Sequence, residues 1–298
     1  MPRPRPAATR DGVASRSRST FASTPTFVSS IVAGEGGGKT RFSLTMPKPL
    51  VIVSVDPNTR AVVEKAIAEG FVDAADLTVH HLKMPAIAFL SDKDDVKEEA
   101  EASWAAFIEI LRPLVDGNPD AVKSVSLDTA TEFDMMNVLQ AFGKSDQITP
   151  EARRNQMGPV NTRWKGVVRA LSDAGVNVAL LHRAREKWET KTQRGTRGAE
   201  EVRDKMTGPW DFERIGFKDT GFITSAEIQL KFDPDREGAT RLSDRFGLRI
   251  SRSTIRPAVI GKEWWGRQQA EDGSRIHAAA FPWLAVQLYP ATTIEEWR

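Results

Sequence analysis

The sequence predicts an α/β fold: a mostly parallel sheet flanked by helices, with further β-strands added towards the C-terminus. Three observations predict it. Short strand-like runs recur at Phe27 to Val32, Leu50 to Val55, Val122 to Leu127 and Val176 to Leu181, the second and fourth strongly apolar. Such runs suit strands covered on both faces, as in parallel sheets. Helix-compatible segments separate them, and strands alternating with helices build an open parallel sheet through right-handed crossovers. Finally, Thr40, Asp56, Asp128 and His182 lie at or just past the ends of these runs. Ligands bind such sheets beyond the carboxyl ends of their strands.

Taken in order, residues 1–26 are rich in Pro, Arg, Ser, Thr and Ala without apolar periodicity, and read as a disordered basic tail. The first strand follows at Phe27 and runs into the glycine cluster at 34–38. The second ends at Asp56-Pro57, with a helix over Thr59 to Ala68 that Gly70 stops. Leu77 to Leu82 is a weaker strand, and Asp92 to Leu114 a charged helix that Pro113 and Gly117-Asn118-Pro119 end. Helices are expected over Thr129 to Phe142 and Val160 to Ala174, with Gly175 as C-cap. Residues 187–198 are polar, basic and glycine-punctuated, and 183–218 reads as a mobile loop. Thr224 to Phe232 and Arg245 to Ile250 are the added strands. Residues 261–298 hold Trp264, Trp265, Trp283 and Trp297 and read as a Trp-rich extension of a core spanning 27–260.

Composition narrows the function classes. With 298 residues, 40% hydrophobic and 28% charged, the chain is an ordinary globular protein. No apolar run reaches the roughly 18 residues that span a bilayer. Cysteine is absent, which removes disulfides and thiolate chemistry and suits a reducing cytoplasm. The net charge is +2, but the first 26 residues hold five arginines and one acid, so the remainder carries −2. Nucleic-acid contact, if made, belongs to local patches or the tail.

The segment Ala33-Gly34-Glu35-Gly36-Gly37-Gly38-Lys39-Thr40 fits a phosphate-binding loop, with Ala at the first glycine position. Glycines let successive backbone N–H groups curl around phosphate oxygens. Lys39 then reaches the β- and γ-phosphates of ATP, and the Thr40 hydroxyl ligates Mg²⁺. Asp128, closing an apolar strand, is the carboxylate that holds Mg²⁺ through its water shell; its plain alternative is an N-cap for the helix that follows. Asp56 and Asn58 stand where a water-orienting group belongs, though Asp-Pro-Asn is equally a turn sequence. Glu132 is a fallback base, or simply a helix-surface acid. His182 is read as a γ-phosphate sensor, or as a strand-end histidine bonded to backbone.

With these residues in place, the chain resembles the RecA-like P-loop NTPases of bacteriophages, in particular the AAA-type ATPases and Sak-type single-strand annealing proteins. The resemblance rests on Ala33–Thr40, Val122–Asp128 and the segment Asn161 to His182, and covers roughly residues 27–260. It implies an ATP- and Mg²⁺-dependent recombination protein that binds single-stranded DNA and promotes annealing or strand exchange. Alternatives are a helicase-like, loader or packaging motor, or a nucleotide-gated structural protein. It implies DNA contact by the segment after His182, through Lys187, Trp188, Lys191, Arg194 and Arg197. It further implies a homo-oligomeric ring or filament in which Arg252 and Arg256 serve a neighbour's γ-phosphate, with a single-strand binding protein as a partner. Many such proteins carry a glutamate where this chain has Asn58, which points to slow hydrolysis.

Overall fold

The computed structural model describes residues 25–85, 93–117, 121–143, 150–195, 198–205, 208, 210–217, 219–270 and 273–298. The tail expected over 1–26 therefore lies outside the described residues up to position 24.

Five strands form the parallel core: β1 (Val28–Ala33), β2 (Leu50–Ser54), β3 (Leu77–His81), β4 (Ser124–Asp128) and β5 (Asn177–Glu186). Their order is β1-β5-β4-β2-β3, and every neighbouring pair is parallel. The strand with His182 is thus inserted between the strand feeding the glycine loop and the strand ending in Asp128. On the other side, β9 (Ala226–Phe232) pairs parallel with β1, while β10 (Phe246–Ser253) and β11 (Glu263–Trp265) add antiparallel strands. The expected mostly parallel α/β sheet with appended C-terminal strands is what the chain forms.

Period-two alternation divides the core between the two faces. Phe27, Ile31, Leu50, Ile52, Ala179 and Leu181 pack with α1 (Lys39–Ser43), α2 (Asn58–Ala68) and α7 (Phe281–Leu288). Val28, Val51, Val53, Val178 and Leu180 pack against α3 (Lys93–Asp116), α4 (Ala130–Phe142) and α5 (Pro150–Asp173). Both faces of the central strands are covered, which explains why apolar residues on these strands point to either face and why the polar interruptions among them are small or buried, such as Ser29, Ser30, Ser124 and Ser126.

Four expectations need correcting. Pro113 does not end α3, which continues to Asp116. Proline removes one intrahelical hydrogen bond, and Phe107 and Leu111 hold the same helix in the core. Likewise α5 starts at Pro150, ten residues before the expected start, and takes Pro159 into its interior. Third, residues 183–218 are not a structureless loop. β5 runs on to Glu186, and β6 (Trp188–Gly195) and β7 (Gly198–Lys205) form an antiparallel hairpin whose register pairs Gly195 with Gly198. Then β8 (Phe212–Arg214) returns antiparallel to β5. The glycines read as loop punctuation sit at the closed end of the hairpin.

The fourth correction concerns the Trp-rich segment, which is no appendage. Phe281, Leu284, Leu288 and Trp297 belong to the same buried cluster as Phe27 and Ile31. Phe27 and Phe281 stack with ring centroids 5.0 Å apart, and Trp297 meets both edge-on. The backbone N–H of Phe281 donates to Thr45 Oγ1 at 2.8 Å. The last helix is therefore part of the layer that supports α1.

Candidate nucleotide site

The glycine loop is built by backbone demands that only glycine meets cheaply. Gly36 and Gly38 hold φ of 68° and 86°, the left-handed region that costs other residues a Cβ clash. Gly37 has no room for a side chain, since a Cβ there would lie 2.7 Å from that of Ala33. Ala33 itself is the last residue of β1, paired in register with Arg183. It sits in ordinary extended backbone, which explains why alanine serves at the first glycine position.

Lys39 folds back over the loop, its Nζ donating to the carbonyls of Ala33 at 2.9 Å and Gly34 at 3.1 Å. Burial lowers the pKa of its ammonium, and the carboxylates of Asp128 and Asp56 oppose that shift. A cation with two weak carbonyl partners exchanges them readily for phosphate oxygens, because charge-assisted bonds are roughly twice as strong as neutral ones.

Two hydroxyls converge on one carboxylate, and a third backs one of them. Thr40 Oγ1 donates to Asp128 Oδ2 at 2.9 Å, and Thr59 Oγ1 donates to the same oxygen at 2.7 Å. Ser54 Oγ donates to Thr59 Oγ1 at 2.8 Å. Asp128 is 2% exposed. Burial raises its pKa, while the bonds from Thr59 and Thr40 hold it down. All donors here are oxygens, and one is a desolvated carboxylate beside a threonine hydroxyl. That set fits Mg²⁺, which favours hard oxygen ligands and arrives with phosphate and water in its shell.

Glu132 is not a helix-surface acid. Its side chain is 15% exposed, and Arg183 Nη2 lies 2.8 Å from its Oε1. Burial raises its carboxyl pKa, Arg183 pulls it back, and the charges of Asp56 and Asp128 raise it further. Those influences place Glu132 within the same electrostatic cluster as Lys39, one helical turn beyond Asp128. Thr131 fixes the neighbourhood: its hydroxyl accepts the Arg183 N–H and donates to the carbonyl of Ile215, both at 3.1 Å.

The remaining expected residues fall as follows. Asp56 makes the turn, its Oδ1 accepting the N–H of Asn58 at 2.9 Å, and the Asn58 side chain is exposed at the start of α2. His182 is 1% exposed in mid-β5, aligned with Val32 of β1. Burial drives its pKa well below the usual histidine range, the Arg214 charge adds to that shift, and a bond to the Ile215 backbone opposes it. The ring is neutral and interior, so the exposed cation at this strand end is Arg183. Arg252 and Arg256 lie at the opposite end of the sheet, Arg252 aligned with Glu227 at the start of β9. Arg256 Nη1 donates to Gln287 O at 2.9 Å, and Arg252 stands 5.5 Å from the Phe222 ring. Within one chain neither meets the glycine loop. Glu35 and Gly34 are exposed at the loop's outer turn, and Lys187 is exposed just before the hairpin. The side chains of Trp188, Lys191 and Arg194, and the whole of Arg197, lie outside the described residues.

Thr59 and Arg183 are the residues of this cluster that the sequence alone did not single out. Thr59 was read only as the start of a helix, and Arg183 only as the start of a loop.

The family described as an AAA domain matches residues 28–212, more than half of the chain. No curated protein matches the sequence. Among solved structures, a KaiC-like protein from the hyperthermophilic archaeon Pyrococcus horikoshii is similar at 12% identity and a TM-score of 0.39. That alignment covers 83% of this chain and 88% of the other.

Proposed function

This chain belongs to the AAA domain family, and on that premise we propose that it binds ATP with Mg²⁺ on residues 33–40 and hydrolyses it to drive single-strand DNA recombination of the phage type. The observation that carries the nucleotide half is the convergence of Thr40 and Thr59 on one oxygen of Asp128, whose charge acts on Lys39. Lys39 would leave the Ala33 and Gly34 carbonyls for the β- and γ-phosphates. Thr40 and Asp128 would hold Mg²⁺, whose charge neutralises the phosphate oxygens when bound. Glu132 is the carboxylate best placed to orient water. The water oxygen bonds to the γ-phosphorus, the bond to the β-bridging oxygen breaks with its electron pair leaving on ADP, and the water proton passes to Glu132. Arg183, freed from Glu132, is then the group that reads the γ-phosphate.

What supports the DNA half is continuity of chain. Arg183 lies on β5, which runs through Glu186 directly into the β6–β7 hairpin. A change in the Glu132–Arg183 pair therefore reaches the hairpin within one strand. The register sets Lys205 opposite Trp188 and Arg203 opposite Thr190, adding two cationic positions to those expected from sequence. Aromatic and cationic residues together suit base stacking with phosphate contact. In this reading copies of the chain assemble as a ring or filament, Arg252 reaching a neighbour, in a bacterial cytoplasm shared with a single-strand binding protein.

The test is a titration of fluorescent oligothymidylate with ATP and without, in wild type and in Lys39→Ala. ATP should tighten wild-type binding and leave Lys39→Ala unchanged. Neutralising Lys187, Lys191, Arg194 and Arg197 should flatten the log–log salt slope, by about 0.7 for each lost single-strand contact. Strand affinity and salt slope equal to wild type in that variant would remove the hairpin from the proposal. Loss of ATP dependence alone would remove the coupling.

A further inference from the structure

The β6–β7 arm grows out of a short antiparallel ladder whose first rung is unusual. In that ladder β5 and β8 set Ala184 opposite Arg214, Arg185 opposite Glu213 and Glu186 opposite Phe212. Alternate opposed pairs in an antiparallel ladder exchange two hydrogen bonds directly, N–H to C=O in both directions. Lys187 belongs to such a pair, its N–H donating to Asp211 O at 3.1 Å. Counting back by twos makes Arg183 and Ile215 another. Only one of their two bonds is direct: Ile215 N–H donates to Arg183 O at 2.9 Å. The second runs through a side chain of another element. Arg183 N–H donates to Thr131 Oγ1, and Thr131 Oγ1 donates to Ile215 O, both at 3.1 Å. A hydroxyl can bridge in this way because it donates and accepts at one atom.

The bridge is held firmly. β4 ends opposite Leu181, so at Arg183 the contact comes from the first turn of α4. Thr131 is buried there, beside Glu132. The chain leaving Ile215 passes the same turn at Gly216, whose φ of 112° suits glycine. A Cβ on Gly216 would lie 3.4 Å from Thr131 Cα and 3.8 Å from His182 Nδ1. Phe217 then anchors the exit in the core. Both roots of the arm therefore meet α4 at one hydroxyl.

The same helical turn grips Arg183 twice, Glu132 by its guanidinium and Thr131 by its backbone N–H. We propose that Thr131 is the positioning residue that sets the arm for each nucleotide. Its hydroxyl holds the first rung open while Arg183 pairs with Glu132. When γ-phosphate takes the guanidinium, the hydroxyl withdraws and Arg183 N–H bonds Ile215 O directly. A rung opened or closed at the root swings the far end of an eight-residue strand. A ligand shifts such an equilibrium only through contacts that differ between the two states. Here that contact is the γ-phosphate on Arg183, present with ATP and absent with ADP. The inference rests on the nucleotide half of the function argued above and is independent of the DNA half.

The experiment is hydrogen exchange of the full chain, read by mass spectrometry, with Mg²⁺ and either ADP or the non-hydrolysable β,γ-imido analogue of ATP. Peptides over residues 33–40 report loading, and peptides over 188–205 report the arm. In wild type, exchange in the arm should differ by about threefold or more between the two nucleotides. Thr131→Ala removes the bridging hydroxyl and leaves room for the direct rung, so the arm should exchange alike with both. Thr131→Ser keeps the hydroxyl and should restore the difference. Gly216→Ala keeps the hydroxyl but forces the second root away from Thr131, and should also abolish the difference. Protection of 33–40 should persist in every variant. An arm that still distinguishes the nucleotides in either Thr131→Ala or Gly216→Ala would overturn the proposal, as would a loaded wild type whose arm does not respond. A wild type in which neither nucleotide protects 33–40 would overturn the nucleotide reading itself, and the role of Thr131 with it.

Discussion

Thr59 Oγ1 donates a 2.7 Å hydrogen bond to the oxygen of Asp128 that Thr40 also contacts, across 69 positions of sequence. The helix after the second strand thereby holds the carboxylate at the end of the fourth. Thr59→Val keeps the shape and removes the donor. The carboxylate loses one of the two bonds that hold its pKa down, so protons compete better with Mg²⁺. Mg²⁺ affinity should fall about 10–100-fold, the usual effect of losing an outer-shell partner, and the loss should be greater at pH 6 than at pH 8. Mg²⁺ titrations of ATP binding at both values check this; equal affinity to wild type would reduce Thr59 to a helix-start residue.

Glu132→Gln separates the carboxylates. It retains shape and ATP binding while removing the proton acceptor, so turnover should drop about 10²–10⁴-fold. Asn58→Glu is the companion variant. With its side chain exposed on α2 and Asp56 closing the turn beside it, a carboxylate there should restore little. A strong gain in rate from Asn58→Glu, with Glu132→Gln near wild type, would return the base to the second strand.

Gly37→Ala should abolish nucleotide binding without unfolding the chain. The added Cβ would stand 2.7 Å from Ala33 Cβ and 3.1 Å from Gly34 O, so the loop must open. Calorimetry should show ATP affinity down by more than tenfold, or 1.4 kcal/mol. Retained affinity would mean that the loop deforms freely and that its shape is not selected for phosphate.

Asp134 supplies a pH test. Burial pushes its carboxyl up to about 6 from 3.8, with Arg214 opposing. The folded state therefore holds this proton more tightly than the unfolded one. Its contribution to stability is fully present below about pH 4 and is lost as pH rises through 6. Asp134→Asn should flatten the fall in melting temperature between pH 4 and 7 and stabilise the protein at pH 8, by up to about 3 kcal/mol for a two-unit shift. A variant whose melting curve tracks wild type across that range would refute the assignment.

The parallel sheet was legible because its central strands are covered on both faces, so each apolar run stands out against polar neighbours. The glycine loop was legible because its geometry demands residue types, not merely contacts. Thr59 was hidden for the opposite reason. A threonine in a first helical turn looks the same whether or not a buried carboxylate waits beside it, and only the β2–β4 pairing brings the two together. Glu132 stayed open between base and surface acid because helix spacing does not reveal that Arg183 closes over it. The hairpin was taken for a loop because both of its strands are polar and their sequences carry no apolar alternation.

The stack of Phe27 on Phe281 has a consequence for how the protein is made. The strand that launches the glycine loop emerges early from the ribosome, but the surface beneath α1 is completed by residues translated much later. Thr45 and Phe281 are 236 positions apart. At roughly 5–20 residues per second, about 10–50 seconds separate their synthesis. Through that interval the nascent chain displays Phe27, Ile31 and Phe42 without their cover, a natural recognition site for chaperones. Nucleotide capture by the finished loop then waits on the synthesis of α7.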